Sequence, residues 1–303
     1  MANVTPFSGT TPQSLRSHLQ ACWTASDNLV GATLVGELPH ADSWFDDWGA
    51  DGYASPIDLY YMDLNGAWED TDGDGVLDLH PNDGNEGPEI WIGRIMTHNV
   101  SDTPIEQLSL MEAYFDRAHA YRLGSLQFRE SGMVYTLHAA RSGPYSDLTK
   151  AEVLYPGATT LIMDREIVGY EDYRQRLATE NWEWHSLLDH GNPGGSLLPG
   201  PEVRDVNPRI GFYDFEICNF ADYSYHRYAA GQHIFNTDYG LAAIGHTKLA
   251  WSPHDESRCY QTLASGGMLG EGRKAQLEWL AQDGYDANEV RNHFGVTTVF
   301  FVF

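Results

Sequence analysis

Six short apolar segments in the second half of the chain, separated by stretches with helical periodicity, limit what this sequence can fold into. The segments span residues 132–139, 158–163, 182–189, 210–217, 241–246 and 296–302. Apolar residues recur at helical spacing in residues 169–179, 256–264 and 271–281. Apolar strands that alternate with amphipathic helices predict an α/β fold with a mostly parallel sheet and helices on both faces.

The first part of the chain carries a shorter set of the same signals. Three apolar segments predict strands at residues 28–37, 57–63 and 89–95. A boundary follows at Leu123 and Gly124, after which the second strand series begins. We therefore expect two subdomains, residues 1–123 and 124–303.

A helix is predicted between the third of these strands and the boundary. Thr103 is a suitable N-cap, Pro104 suits the first helical position, and Glu106 completes a capping box. Apolar residues at helical spacing extend this helix to about residue 121.

The acidic composition limits the partners that the chain can bind. Its 303 residues include 43 acidic and 18 basic side chains, which gives a formal net charge of −25. Nucleic acids and anionic membranes bind basic faces, so we expect neither as a partner. The acidity itself has two explanations that the sequence leaves open, namely calcium loops or a high-salt habitat that favours acidic surfaces.

The cysteines and the N-terminus bear on localisation. Cys22, Cys218 and Cys259 are too few for a disulfide framework, although Cys22 and Cys259 could pair. No stretch is long and apolar enough to span a membrane, and the N-terminus lacks the regions of a signal peptide. We expect a segment of a longer secreted protein, without membrane insertion and with neighbouring domains as partners.

Two of the predicted strands deliver residues suited to nucleophilic catalysis. One strand ends just before His190 and Gly191, and a later strand ends at Cys218. An imidazole can activate a thiol, and the N–H groups of Gly191 and Cys218 could bind an oxyanion. The same residues also fit a buried thiol and an ordinary turn.

A short acidic segment has the pattern of a calcium loop, in which oxygen ligands alternate with glycines. The candidate ligands are the carboxylates of Asp70, Asp72, Asp74 and Asp78 and the carbonyl of Val76. The twelfth position is Pro81, so Glu86 or Glu89 would have to replace the usual bidentate glutamate. Carboxylates this close repel one another unless a cation is present, and we therefore expect a structural calcium ion.

Taken together, these motifs resemble the catalytic domain of gingipain-type cysteine peptidases, which are relatives of clostripain, legumain and the caspases. The resemblance covers most of the chain and rests on the shared order of motifs that are individually weak. The motifs are residues 34–39 (LVGELP), 55–63 (SPIDLYYMD), 70–75 (DTDGDG), 88–94 (PEIWIGR), 190–191 (HG), 216–218 (EIC), 243–247 (AIGHT) and 263–271 (LASGGMLGE). It implies a caspase-like three-layer sandwich with His190 and Cys218 as the catalytic dyad.

The resemblance also implies a specificity pocket beside the cysteine. Glu216, two residues before Cys218, would line this pocket, Trp251 would wall it, and the loop of residues 140–147 would form its floor. Asp147 together with Glu216 would select Arg or Lys through charge-assisted hydrogen bonds. Arg141 pointing inward would instead favour an acidic or amide side chain.

The sequence thus predicts a secreted, calcium-stabilised cysteine endopeptidase that cleaves protein or peptide substrates through a thioester, after Arg or Lys. One alternative is a peptidase that selects Asn or Asp. A second is a catalytically silent, calcium-stabilised binding or adhesion module that retains the dyad. A third is a metal-dependent hydrolase that uses the aspartate-rich loops.

Overall fold

The computed structural model describes most of the chain, including both predicted strand ends. The described residues are 4–26, 28–45, 52–81, 87–137, 143–164, 166–250, 257–282 and 297–299, with the backbone alone for 143–147 and 297–299. Arg141 and Trp251 lie outside these residues, as does Glu86.

Strands and helices alternate along the second half of the chain, as the apolar pattern predicts. The strands are β1 Gly31–Val35, β2 Asp42–Phe45, β3 Tyr53–Pro56, β4 Val76–Leu77, β5 Trp91–Ile95, β6 Gly132–Thr136, β7 Thr159–Ile162, β8 Asn181–Leu188, β9 Arg209–Glu216, β10 Ala242–His246 and β11 Thr297–Val299. The helices are α1 Pro12–Thr24, α2 Leu59–Met62, α3 Pro104–Arg122, α4 Gly143–Leu154, α5 Tyr170–Thr179, α6 Val203–Val206, α7 Ala229–Phe235, α8 Ser257–Ala264 and α9 Leu269–Gln282.

The largest sheet has the strand order β11-β10-β9-β8-β6-β7. Strands β6 to β10 are parallel, and β11 adds an antiparallel edge next to β10. This confirms the predicted mixed α/β architecture with a mostly parallel sheet. Because β6 to β10 run in the same direction, their carboxyl ends lie at one edge of the sheet.

Two apolar cores lie on the two faces of this sheet. One core packs Met133, Tyr135, Tyr213 and Phe215 against buried residues of α3, α5, α6 and α7. The other packs Trp184 and its neighbours against α1, α8 and α9, and it extends into the first strands of the chain. Alternate residues of one strand face opposite sides of a sheet, and β8 and β10 accordingly supply buried residues to both cores. Helices therefore flank the sheet, which is consistent with a three-layer α/β fold.

Two small sheets are built from the first part of the chain. Strands β1 and β5 form a parallel pair, while β2 pairs antiparallel with β3 and parallel with β4. The strands predicted around β1 and β5 are confirmed. The strand predicted at residues 57–63 is wrong, because α2 occupies residues 59–62 and all four are buried. A short segment that is apolar on every side fits a buried strand or a buried helix equally well.

Helix α3 begins where its capping residues predict. The side chain of Thr103 accepts a hydrogen bond from the N–H of Glu106 at 3.3 Å, and Pro104 is the first helical residue. From this helix, Tyr114 Oη donates to the carbonyl of Leu241 at 3.0 Å. Helix α3 thus packs against the large sheet, although it precedes the predicted subdomain boundary at Gly124, and the boundary stays a prediction.

Disulfide pairing and membrane-spanning helices were two further points of the sequence prediction. In the described part of the chain, Cys22, Cys218 and Cys259 form no disulfide, so the possible pairing of Cys22 with Cys259 is not formed. Of the helices in the described ranges, none combines the length and the apolar character needed to cross a membrane.

Candidate active site

His190 and Cys218 follow two neighbouring parallel strands. Strand β8 pairs with β9, and the last matched pair in their register is Leu188 with Glu216. His190 and Cys218 therefore each lie two residues beyond the same matched pair, at the carboxyl edge of the sheet. In parallel α/β sheets this edge is where binding and catalytic sites form.

Direct packing also joins the two segments. At Gly191, a Cβ atom would collide with the side chain of Ile217 and would lie 2.9 Å from the carbonyl oxygen of Gly195. Only glycine leaves enough room at such a position. The backbone beside His190 thus packs against the residue that precedes Cys218.

The loop after β8 holds His190 at the surface. Asn192 and Gly195 exchange two backbone hydrogen bonds of 3.1 Å, which close a tight turn. The hydroxyl of Ser196 lies 2.7 Å from the carboxylate of Asp189 and 2.9 Å from the carbonyl oxygen of His190. His190 is exposed, whereas Cys218 is half-buried. The imidazole of His190 is therefore accessible to solvent, and the thiol that follows the neighbouring strand is partly sheltered.

Backbone donors are available at the same place. Asn219 donates its N–H to the carbonyl of Lys248 at 2.7 Å, and Ala221 donates to His246 at 2.9 Å. Within the described ranges, the N–H groups of Gly191 and Cys218 donate to no backbone hydrogen bond of this kind. Unpaired N–H groups next to a nucleophile are the elements of an oxyanion hole.

Glu216 lies in a buried ion pair that the sequence reasoning missed. Its Oε1 atom accepts a hydrogen bond from Lys150 Nζ at 3.0 Å, and both side chains are only 4% exposed. Its Oε2 atom is buried and has no hydrogen-bond partner among the residues that the structure describes. Lys150 lies in α4, whose first five residues overlap the loop predicted at residues 140–147. The helical spacing of Lys150, Ala151 and Leu154 was the signal that could have revealed it.

More polar side chains lie on the same face of β9. Asp214, two residues before Glu216, accepts a hydrogen bond from Tyr260 of α8. Trp184 Nε1 donates to Ser186 Oγ at 3.0 Å, and Lys150 Nζ lies 5.9 Å from the ring centroid of Tyr260. The layer beneath Glu216 is thus polar and well connected by hydrogen bonds.

The other predicted pocket residues are only partly placed. Asp147 lies in α4, one helical turn before Lys150, and its side chain is outside the described part of the structure. Residues 143–147 are therefore the start of α4 and do not form the end of a loop, while the role of residues 140–147 as a pocket floor stays a prediction. The structure does not describe residues 140–142, including Arg141, or Trp251.

The acidic loop brings three of its predicted ligands together. Carboxylate oxygens of Asp70, Asp72 and Asp78 all lie within 4.8 Å of one another, on a largely exposed loop, and this group could hold a metal ion. Asp70 accepts hydrogen bonds from the N–H groups of Gly73 at 2.7 Å and Gly75 at 2.9 Å. These bonds hold the loop in a curved form.

The remaining loop residues behave differently. Asp74 is outside the group of three, and its Oδ1 accepts from the N–H of Val76 at 2.8 Å. Val76 itself begins β4. The carboxylate of Glu89 binds a different segment. Its Oε2 atom accepts hydrogen bonds from the N–H groups of Leu64 at 2.7 Å and Asn65 at 3.3 Å. Burial raises the pKa of Glu89, and its carboxylate does not complete the acidic loop.

Comparison with protein families and with curated proteins identified no relative. We found no match to the chain among protein-family models and no significant match among curated proteins. The geometry at the carboxyl edge of the sheet is therefore the main basis for assigning a function.

Proposed function

We propose that the protein is a secreted cysteine endopeptidase of the gingipain type, with a caspase-like fold in two subdomains, residues 1–123 and 124–303. One observation supports this most strongly. The register of β8 and β9 places His190 and Cys218 at equivalent positions after the matched pair Leu188 and Glu216. Neighbouring strand ends hold a base and a nucleophile more rigidly than two independent loops would.

The proposed mechanism is acyl transfer through a thioester. His190 accepts the proton of the Cys218 thiol, and the thiolate adds to the carbonyl carbon of the scissile peptide bond. The N–H groups of Gly191 and Cys218 bind the oxyanion that forms. Collapse of the intermediate breaks the C–N bond, and the His190 imidazolium protonates the leaving amine. Water, deprotonated by His190, then hydrolyses the thioester and regenerates the thiol.

Glu216 gives the proposed pocket one free acceptor. Lys150 already binds Oε1 and offsets the charge of the carboxylate, while Oε2 has no partner in the described part of the chain. Because Oε2 is buried, it can accept a hydrogen bond only from a substrate side chain that enters the layer below the protein surface, whether or not that side chain is charged. A preference for Arg or Lys over neutral side chains would then depend on Asp147.

The same ion pair favours a second specificity. Because Lys150 neutralises Glu216, a neutral donor such as the amide of Asn would also fit beside Oε2. A positional-scanning peptide library, varied at the residue before the scissile bond, separates the two possibilities. Preference for Arg or Lys that falls in the Asp147→Asn variant supports the basic pocket, while preference for Asn that this variant leaves unchanged supports the neutral one.

The library also tests the proposed activity itself. Wild-type protein should cleave at least one substrate series, and Cys218→Ala should abolish cleavage. A catalytically silent binding module would cleave none of the peptides in any variant. Cleavage that survives Cys218→Ala but disappears with a chelator would instead identify a metal-dependent hydrolase.

We further propose that the acidic loop binds a structural calcium ion through Asp70, Asp72 and Asp78. Three carboxylates within 4.8 Å repel one another unless a cation is present, and their oxygen atoms are ligands that calcium prefers. The N–H groups that hold Asp70 support a loop that is curved before the ion arrives.

A further inference from the structure

We propose that Tyr53, a residue of the small β2–β3–β4 sheet, is a positioning residue for Cys218. Its hydroxyl holds Asn219 and so fixes the turn that carries the thiol. This inference rests on the proposed role of Cys218 as nucleophile and adds a residue from the first part of the chain to the site.

The turn after Cys218 has a conformation that needs support. Asn219 has a φ of +58°, in the left-handed region that side chains other than glycine adopt at a cost of about 1 kcal/mol. Asparagine tolerates this region best among residues with a Cβ, because its short amide can form local hydrogen bonds. The residue type and its partners therefore both matter at this position.

Asn219 is held by hydrogen bonds from backbone and side chain. Its N–H donates to the carbonyl of Lys248 at 2.7 Å, and its Nδ2 lies 3.3 Å from the carbonyl of Thr247. The same Nδ2 donates to Tyr53 Oη at 3.0 Å. Tyr53 is thus a partner of this amide from a distant part of the sequence, 166 residues away.

The Tyr53 hydroxyl also reaches the loop after β10. It accepts a second hydrogen bond from the N–H of Leu249 at 3.0 Å, so both of its lone pairs have donors. The ring is held in turn by Phe45, whose centroid lies 5.7 Å away and which is paired with Tyr53 in the β2–β3 register. One hydroxyl therefore connects the turn after β9 with the loop after β10.

A second contact fixes the end of β3 to the same loop. The Thr247 hydroxyl donates to the carbonyl of Pro56 at 2.6 Å, and Thr247 is buried. Strand β3 is thus attached to residues 247–249 at both of its ends, by Tyr53 and by Pro56. Loss of the Tyr53 hydroxyl should release the Cys218 turn without detaching the strand.

The expected effect is on reaction rate. Tyr53 takes part in none of the proposed chemical steps, and a shift of about 1 Å at a nucleophile can cost up to 100-fold in rate. We expect Tyr53→Phe to lower kcat about 10-fold, to leave KM within a factor of two, and to slow alkylation of Cys218 by iodoacetamide to a similar degree. Tyr61→Phe is the matched control, since it removes another hydroxyl of the first subdomain, one that donates to the carbonyl of Pro39 at 2.9 Å.

A double-mutant cycle tests whether Tyr53 acts through Asn219. Asn219→Gly keeps a backbone that adopts positive φ readily and removes the amide that Tyr53 binds. In that background, Tyr53→Phe should have no further effect on kcat or on alkylation. Additive losses would overturn the positioning role, and so would a Tyr53→Phe variant that matches Tyr61→Phe.

Failure of this inference can be told apart from failure of the proposed function. If wild-type protein cleaves peptides and Tyr53→Phe cleaves them equally well, only the role of Tyr53 is overturned. If Tyr53→Phe slows alkylation of Cys218 but the wild-type protein cleaves nothing, the turn contact stands and the peptidase assignment falls.

Discussion

At the scale of single residues, the Lys150–Glu216 pair is the feature of the site with the largest energetic consequence. Both groups are almost fully buried, and each compensates the charge of the other. Removing one member of such a pair leaves an unpaired charge in a medium that solvates it poorly. The pair therefore makes the layer next to Cys218 sensitive to substitution.

Stability should consequently depend on both members together. Lys150→Met should reduce the free energy of unfolding by about 3–5 kcal/mol, because it leaves the Glu216 carboxylate buried without its counter-ion. The double variant Lys150→Met, Glu216→Gln should recover most of this loss, which urea unfolding would measure. Lys274→Met is the control, since Lys274 pairs with Glu278 on a more exposed surface, and its removal should cost under about 1 kcal/mol. If Lys150→Met and Lys274→Met reduced the free energy of unfolding equally, this result would contradict a buried, mutually dependent pair.

Two buried histidines predict how stability changes with pH. Burial lowers the pKa of His185 to about 3 and that of His233 to about 4. His185 Nε2 accepts from Tyr173 Oη at 2.9 Å, and the ring of His233 packs against Tyr213 and Phe215. Both rings are therefore neutral in the folded protein at neutral pH.

Below pH 6.5 these two histidines become protonated in the unfolded chain but stay neutral in the folded protein. The free energy of unfolding should therefore decrease with decreasing pH down to about 4. Each histidine contributes up to about 1.4 kcal/mol per pH unit in that window. His233→Phe should remove about half of the combined contribution of the two histidines to the pH dependence between pH 6 and 5, as measured by urea unfolding. An unchanged slope would show that His233 is protonated in the folded protein.

At the scale of structural elements, the acidic loop is closed by backbone pairing on both sides. Glu69 pairs with Leu79 in an isolated bridge, and β4 then joins the loop to β2. Gly73 and Gly75 have φ values of +81° and +95°, which allows the sharp reversal between the aspartates. The loop is therefore attached to the small sheet that also carries Tyr53.

Calcium should bind this loop and stabilise the protein. Addition of Ca²⁺ should raise the melting temperature, EDTA should reverse the increase, and calorimetry should detect one site in the micromolar to millimolar range. Asp72→Asn should weaken binding at least 10-fold, whereas Asp74→Asn, outside the group of three, should weaken it much less. Equal effects of the two substitutions would contradict the proposed ligand set.

Helices and strands were predicted correctly where their local sequence signals, such as capping residues and apolar runs, were complete. Thr103, Pro104 and the helical spacing behind them identified α3, and the apolar runs identified β6 to β10. Helix α4 and the four-residue helix α2 were missed because short or mixed segments carry no decisive periodicity. The strands β2, β3 and β4 were missed because short strands depend on their partners more than on their own composition.

At the scale of the whole molecule, the site combines what local sequence can predict with what it cannot. That His190 and Cys218 follow strands could be read from the apolar runs, and β8 and β9 do pair in register. Lys150 lies 66 residues from Glu216 in sequence, and Tyr53 lies 166 residues from Asn219. No local sequence pattern indicates contacts between residues this far apart. The missed residues are thus those that only the folded chain brings together.

The proposed dyad is most directly tested by the rate at which iodoacetamide alkylates Cys218 at pH 7, followed by peptide mass spectrometry. If His190 activates the thiol, His190→Ala should slow this reaction at least 10-fold. Alkylation of Cys22, which is half-buried and far from His190 in sequence, should stay unchanged in the same sample and serves as an internal control. Equal alkylation of Cys218 with and without His190 would contradict the dyad.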